Sequence, residues 1–275
     1  MNVIRIWGGL GNQMFQYAFG LALARSTGEE TRYDLSWFSR KPDRAYGLAA
    51  FRCEVPEFDG RKARRISREN WLTRLVGLKP KLKRADEEPA NIYDARLLQL
   101  RDSFLNGYFQ VARYYEPIRD ELLEAFTLRD VPSRVKALGD EMSDGESVSL
   151  HVRRGDYLKL QGVFRLCDAD YYERAARHLA ERLRSPRYYV FSDDIAWCRE
   201  NLKLPAVEFV ETAEPNRPEL DMYLMSCCRH NIIANSSFSW WGAWLNRHPE
   251  RIVVAPKVWY VERPTDVVPE CWERT

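Results

Sequence analysis

Apolar and polar residues alternate over Asn2–Trp7, with Val3, Ile4, Ile6 and Trp7 set around Arg5, and the run stops at Gly8-Gly9-Leu10-Gly11. From Asn12 to Arg25 the period changes. Phe15, Phe19 and Leu23, and beside them Met14, Ala18 and Ala22, recur at helical spacing. Strand, glycine turn and helix in that order begin an α/β domain. Residues 40–90 have no clear period and are rich in Arg, Lys, Pro and Glu, which predicts irregular chain with short helices. A second helix is predicted over Tyr115–Leu128. Val131–Glu146 collects Pro132, Gly139 and Gly145 among acidic residues and reads as a linker.

Beyond the linker the pattern is regular. Ser147–Val152 reads as a strand, and Asp170 with Glu173 forms a capping box for a helix over Tyr171–Arg184. Strand Tyr188–Phe191, helix Ile195–Leu202, strand Val207–Val210 and helix Glu219–Cys228 follow. Strand Asn231–Ala234, helix Phe238–Leu245 and strand Arg251–Val254 complete the series. Strands alternating with helices predict a parallel, doubly wound sheet.

The length of 275 residues suits two domains, drawn at 1–135 and 146–275. With 42 Lys and Arg against 40 Asp and Glu, the net charge of +2 gives no electrostatic case for a nucleic-acid partner. Arg61–Arg68 and Lys79–Arg84 are local basic clusters, read as solvated faces with docking to an anionic membrane surface as the alternative. The six cysteines have neither CxxC nor zinc-ligand spacing and read as reduced thiols. No basic leader precedes an apolar stretch, and no segment reaches the ~18 apolar residues of a membrane span. The expected location is the cytoplasm, with peripheral contact at the inner face of the membrane as an option.

In a doubly wound sheet, ligands bind beyond the carboxyl ends of the strands. Three predicted strands end in suitable polar residues. His151-Val152-Arg153-Arg154-Gly155-Asp156-Tyr157 offers two guanidinium forks to a pyrophosphate without a metal, with Asp156 placed to orient one of them; an Arg–Asp pair capping a surface turn is the competing reading. Ser192-Asp193-Asp194 is open to metal binding, to holding a ribose hydroxyl, or to helix capping, and capping accounts for at least one carboxylate. Asn235-Ser236-Ser237-Phe238-Ser239-Trp240-Trp241 places hydroxyls and N–H groups at a helix start, a phosphate seat. Trp240, Trp241 and Trp244 read as packing residues, with sugar stacking open for one of them. Asp221 has the chemistry to accept the N1–H and N2–H₂ edge of guanine, although on sequence grounds alone a solvated aspartate is the simpler reading.

Two other motifs compete. Gly9 and Gly11 follow a strand as in a dinucleotide fingerprint, but Met14 stands where the third glycine belongs; the loop still presents N–H groups to an anion. Asp168-Ala169-Asp170 is a DxD, the metal signature of a different glycosyltransferase architecture, and Asp170 is already expected as a cap. The four histidines have no metal-ligand spacing.

HVRRGDY at His151–Tyr157 resembles the signature of the α-1,2/α-1,6 and protein-O fucosyltransferase superfamily. GGLGNQMFQYA at Gly8–Ala18, GYFQ at Gly107–Gln110, FSDDIAWCRENL at Phe191–Leu202 and NSSFSWWGAWLN at Asn235–Asn246 resemble glycosyltransferase family 11, the α-1,2-fucosyltransferases, in the family's own order. The resemblance implies a GT-B-like α/β fold of two Rossmann-type domains facing across a cleft. The first domain would take the acceptor and the second GDP-fucose.

It further implies inversion at the anomeric carbon, no metal or other cofactor, and a galactose-containing glycan or lipid-linked acceptor in a bacterial setting. By motif, Arg153 is expected on the pyrophosphate with Arg154 supporting it and His151 near the nucleotide. Ser236, Ser237 and Phe238 would line the donor pocket, and Asp221 would hold guanine. Asp193, Gly9 and Gly11 are counted with the donor site. Asn12 is expected to face donor and acceptor, and Asp156 to orient Arg153 rather than act as base. The alternatives are a metal-dependent transferase using Asp168 and Asp170, and a non-catalytic glycan-binding protein.

Overall fold

The computed structural model describes residues 1–41, 44–59, 82–159, 162–163, 165–211, 214 and 216–275. Arg61–Arg68 and residues 79–81 of the second basic cluster lie outside the described residues. The chain forms two compact units, Met1–Thr127 with Thr265–Val267, and Leu128–Pro264 with Val268–Thr275.

The first unit is built on strands β1 (Asn2–Arg5), β2 (Thr31–Asp34), β3 (Lys83–Asp86) and β4 (Ser103–Asn106), all parallel in the order β2-β1-β4-β3. Helix α1 (Leu10–Thr27) follows β1 and buries Met14, Phe15, Tyr17, Ala18, Phe19 and Leu23, more than one face, because it lies under the sheet and its connections together. It starts at Gly9 with no side-chain cap and ends at Gly28, whose φ of 70° closes the last turn in the left-handed region. The predicted helix over Tyr115–Leu128 opens as a 3₁₀ turn at Glu116–Ile118, and only Arg119–Ala125 is α-helical (α2).

The expected linker is instead the site of helix α3 (Ser133–Met142), which buries Val135, Gly139 and Met142. A Cβ on Gly139 would lie 3.1 Å from Tyr223 and from Cys227, so the residue that looked like a helix breaker is what permits close packing.

In the second unit come β5 (Ser147–Val152), α4 (Ala169–Ala180), β6 (Arg187–Ser192), α5 (Ile195–Asn201) and β7 (Val207–Phe209). There follow α6 (Pro218–Cys227), β8 (His230–Ile232), α7 (Ser237–Trp244), β9 (Val253–Ala255) and β10 (Glu273–Arg274). The sheet runs β10-β9-β8-β5-β6-β7, parallel throughout. Counted from β5, this is the 3-2-1-4-5-6 order of a dinucleotide-binding fold, and the order reverses between β5 and β8.

Asp168, not Asp170, caps α4 by accepting from Tyr171 N at 2.9 Å. Asp170 lies in the first turn, where its charge suits the helix dipole. Trp240 and Trp241 have no exposed surface and Trp244 only 4%, which removes them from sugar stacking. They pack on one another, and Trp240 also meets Trp272 with ring centroids 5.2 Å apart. All six cysteines are unbridged. No described helix is long and apolar enough to cross a membrane.

Trp240→Ala is expected to cost about 3–5 kcal/mol of unfolding free energy, measured by urea denaturation, because the neighbouring indoles cannot close the void.

Candidate active site

The reversal of strand order opens a crevice beyond the carboxyl ends of β5 and β8. Both expected strand-end motifs of that pair lie there, Arg153–Tyr157 after β5 and Asn235–Phe238 after β8, with Ser192–Asp194 next to them after β6.

Arg153 is held from two sides. Its Nε and Nη2 donate to Asp156 Oδ1 at 3.1 and 2.6 Å, and its Nη1 lies 3.0 Å from Asp193 Oδ2. Asp193 also accepts from the Arg154 backbone N–H at 2.9 Å, so one carboxylate fixes the guanidinium and the turn that carries it. Gly155 makes this approach possible: a Cβ there would sit 2.5 Å from Asp193 Oδ2. Arg154 points elsewhere. Its Nε donates to Asp194 Oδ2 at 3.1 Å and its guanidinium lies 4.1 Å over the Trp197 ring. Asp194 in turn caps α5 through Trp197 N. Trp197 stood in a recognised motif, but nothing in the sequence marked it as the seat of Arg154.

After β8, Ser236 caps α7 by accepting from Phe238 N at 3.3 Å. The hydroxyl proton of Ser236 and the side chain of Ser237 remain beside the first helical N–H groups, where an anion is favoured. Tyr157 reaches across from the β5 loop and donates its hydroxyl to Asn235 O at 3.1 Å. The Asn235 amide donates to Arg165 O and Trp259 O, both at 2.9 Å. Phe238 lies against His151, with ring centroids 5.7 Å apart.

His151 is buried on β5 and its Nδ1 has no hydrogen-bond partner among the described residues. Burial, and then the neighbouring Arg153 charge, push its pKa down to about 3. The ring is therefore a neutral group at working pH. Asp221 sits half-buried in the first turn of α6. That helix joins β7 to the parallel β8, so its start lies on the same carboxyl side of the sheet. Of the DxD, Asp168 is spent as a cap, and among the described residues no three His, Cys, Asp or Glu side chains gather as a metal site.

Gly9, Gly11 and Asn12 belong to the first unit. Gly8 holds a φ of 83°, and the loop is tied down by amides rather than by charges. Gln13 donates to Gly8 O and Ala45 O, both at 3.0 Å, and accepts from Gly47 N at 2.9 Å. Gln16 accepts from Trp7 N and donates to Gly107 O, at 2.9 and 3.1 Å. Asn12 Oδ1 accepts from Gln110 Nε2 at 2.8 Å. Buried Glu87 accepts from the N–H groups of Asn91, Tyr108 and Phe109 at 2.8 to 2.9 Å and sets the bend after β4. The glutamines were visible inside GNQMFQ and GYFQ, but Glu87 was hidden within a charged stretch.

Comparison with known proteins adds identity to this geometry. The model of the family described as Glycosyl transferase family 11 matches residues 1–266. Alpha-1,2-colitosyltransferase from Escherichia coli is 36% identical, over 99% of this chain and 98% of its own length. Galactoside 2-alpha-L-fucosyltransferase Sec1 from Mus musculus is 30% identical, over 89% of this chain and 64% of its own. Among solved structures, fucosyltransferase NodZ from Bradyrhizobium has the same fold, with a TM-score of 0.53, 16% identity, and coverage of 88% of this chain and 91% of its own. The fold is thus GT-B-like, an α/β architecture with parallel sheets.

The His151 environment makes a testable statement about acid stability. The unfolded imidazole takes a proton below its ordinary 6.5, whereas the folded one resists until about 3. Stability is therefore lost as pH falls through that window. Between pH 7 and 5 the wild type should lose about 2 kcal/mol more than His151→Gln does, measured by urea unfolding at both pH values.

Proposed function

Because the chain belongs to glycosyltransferase family 11, we propose that it transfers L-fucose from GDP-fucose to the 2-hydroxyl of a terminal galactose in a glycan. Transfer proceeds with inversion at the anomeric carbon and without a divalent cation. The observation that carries this reading is Arg153, braced on its Nε–Nη2 edge by Asp156 and set in the crevice where the strand order reverses. A fixed guanidinium in that place does the work that a metal does elsewhere. It meets the diphosphate and stabilises the charge that grows on GDP as the glycosidic bond breaks.

The other residues take roles that fit their surroundings. Asp193 and Asp156 hold Arg153, and Arg154 supports the turn from its seat on Trp197. Asp156 acts as a brace, since its Oδ1 is engaged by both Nε and Nη2 of Arg153. Ser236 and Ser237 donate to phosphate oxygens from the start of α7, while neutral His151 and Phe238 line the donor pocket. Asp221 accepts the guanine edge. In the first unit Asn12, its oxygen engaged by Gln110, keeps its amide N–H groups to donate to a reacting sugar.

A second reading has its own support. The colitosyltransferase matches over the full chain, and colitose differs from fucose in lacking the 3-hydroxyl. The two are separated by incubating the enzyme with GDP-fucose or GDP-colitose, a panel of galactose-terminated acceptors and excess EDTA, with linkage analysis of the product. An α-1,2-fucosylated product is expected. Turnover of GDP-colitose alone moves the assignment to the second reading, and a strict need for a divalent cation overturns the metal-free mechanism. GDP binding measured by calorimetry distinguishes either enzyme from a glycan-binding protein.

Arg153→Ala should lower kcat by roughly 10²–10³-fold and weaken GDP binding. Arg153→Lys should recover little, because an ammonium group cannot keep the braced fork. Unchanged GDP affinity and turnover in Arg153→Ala would falsify the donor-site assignment.

A further inference from the structure

A row of aromatic side chains in the first unit has no place in the chemistry so far. β1, β2 and β4 are parallel, so the segments that follow them leave the sheet on one edge. Trp7 follows β1, Trp37 and Phe38 follow β2, and Tyr108 follows β4. Their rings form a chain: Trp7 to Tyr108 at 4.4 Å, Trp7 to Trp37 at 6.4 Å, and Trp37 to Phe38 at 5.2 Å between centroids. Tyr46 extends it, 5.6 Å from Phe38, on a strand of chain that Gln13 pins through Ala45 O and Gly47 N.

None of the five is in the buried core, and each keeps part of its surface open. That separates them from Phe15, Phe19 and Phe104, which are fully covered. Asn12 lies on the same edge, its amide oxygen engaged by Gln110 and its amide N–H groups on the side of the rings. Aromatic faces with a few fixed polar groups, at the carboxyl edge of a parallel sheet, match a ligand that has one apolar face and a hydroxylated rim.

We propose that Trp7, Trp37, Phe38, Tyr46 and Tyr108 form the acceptor subsite, a shelf on which the terminal β-galactose stacks. The proposal rests on the glycosyltransferase reading and names where its acceptor binds. A β-galactoside suits the shelf because its axial 4-hydroxyl leaves C3–H, C4–H and C5–H together on the opposite face as an apolar patch. The amide N–H groups of Asn12 then meet a hydroxyl at the rim. The five side chains have few rotatable bonds, so ordering them around a sugar costs little entropy.

The test uses the full chain and does not depend on transfer. Saturation-transfer NMR with methyl β-galactoside, irradiating aromatic protons, should give strong signals at H3, H4 and H5 for the wild type. Methyl β-glucoside, which lacks the patch, should give weaker ones. Trp37→Leu and Tyr46→Leu should abolish the galactoside signal while GDP affinity, measured by calorimetry, stays as in the wild type. In turnover, both variants should raise the acceptor KM about tenfold and leave the donor KM unchanged. Trp37→Phe should restore most of the loss and guards against a folding defect.

The proposal is overturned if the wild type gives no galactoside signal, if it binds both sugars equally, or if the leucine variants bind galactoside undiminished. A wild type that binds galactoside on the shelf yet transfers nothing from GDP-fucose would instead refute the activity and leave the shelf standing.

Discussion

Arg153 and Arg154 follow one another in the chain and both are partly withdrawn from water, where an unpaired cation carries a desolvation cost. Three carboxylates from two loops offset it. Asp156 comes from the arginines' own turn, and Asp193 and Asp194 come from the end of β6. Neutralisation therefore joins strand ends that the sheet alone would leave independent. Tyr157 adds the third by donating to Asn235 O after β8. The outcome is a guanidinium whose position is fixed by the fold before any ligand arrives.

The first unit fixes its loops by a different means. Gln13 and Gln16 reach into neighbouring segments and satisfy backbone groups there, and Glu87 collects N–H groups around the bend after β4. Amides of this kind act as a substitute ladder where the chain leaves the sheet. They impose shape without a strong local field, and such a surface suits a neutral sugar better than a diphosphate.

Much of this was legible in the sequence, and the misses have physical causes. The alternation of the second unit was plainest where a helix has one clear buried stripe, as Tyr171, Ala175 and Leu179 show in α4. The strand-end motifs could be read because parallel sheets put ligands there. Helix α3 was hidden because Pro132, Gly139 and Gly145 signal a loop, and only the packing of Gly139 against Tyr223 and Cys227 explains the glycine. The cap of α4 slipped from Asp168 to Asp170 because both precede the same apolar run. The strands β2 and β3 read Thr-Arg-Tyr-Asp and Lys-Arg-Ala-Asp, and β4 sets only Phe104 and Leu105 between polar residues, so none presents the apolar run that marks a strand. The aromatic row is built from residues scattered between Trp7 and Tyr108, and no linear pattern connects them.

Thr265–Val267 belong with the first unit although they follow most of the second in the chain. Asp266 donates its N–H to Asn91 O at 2.8 Å and its carboxylate accepts from Tyr93 N at 2.8 Å. On the ribosome, Asn91 and Tyr93 emerge long before Asp266 is made. The half of the protein that is synthesised first must therefore wait for five strands of the other half before its own hydrogen bonds can close. Order of birth and order of completion are decoupled, and no single cut in the chain yields both halves intact.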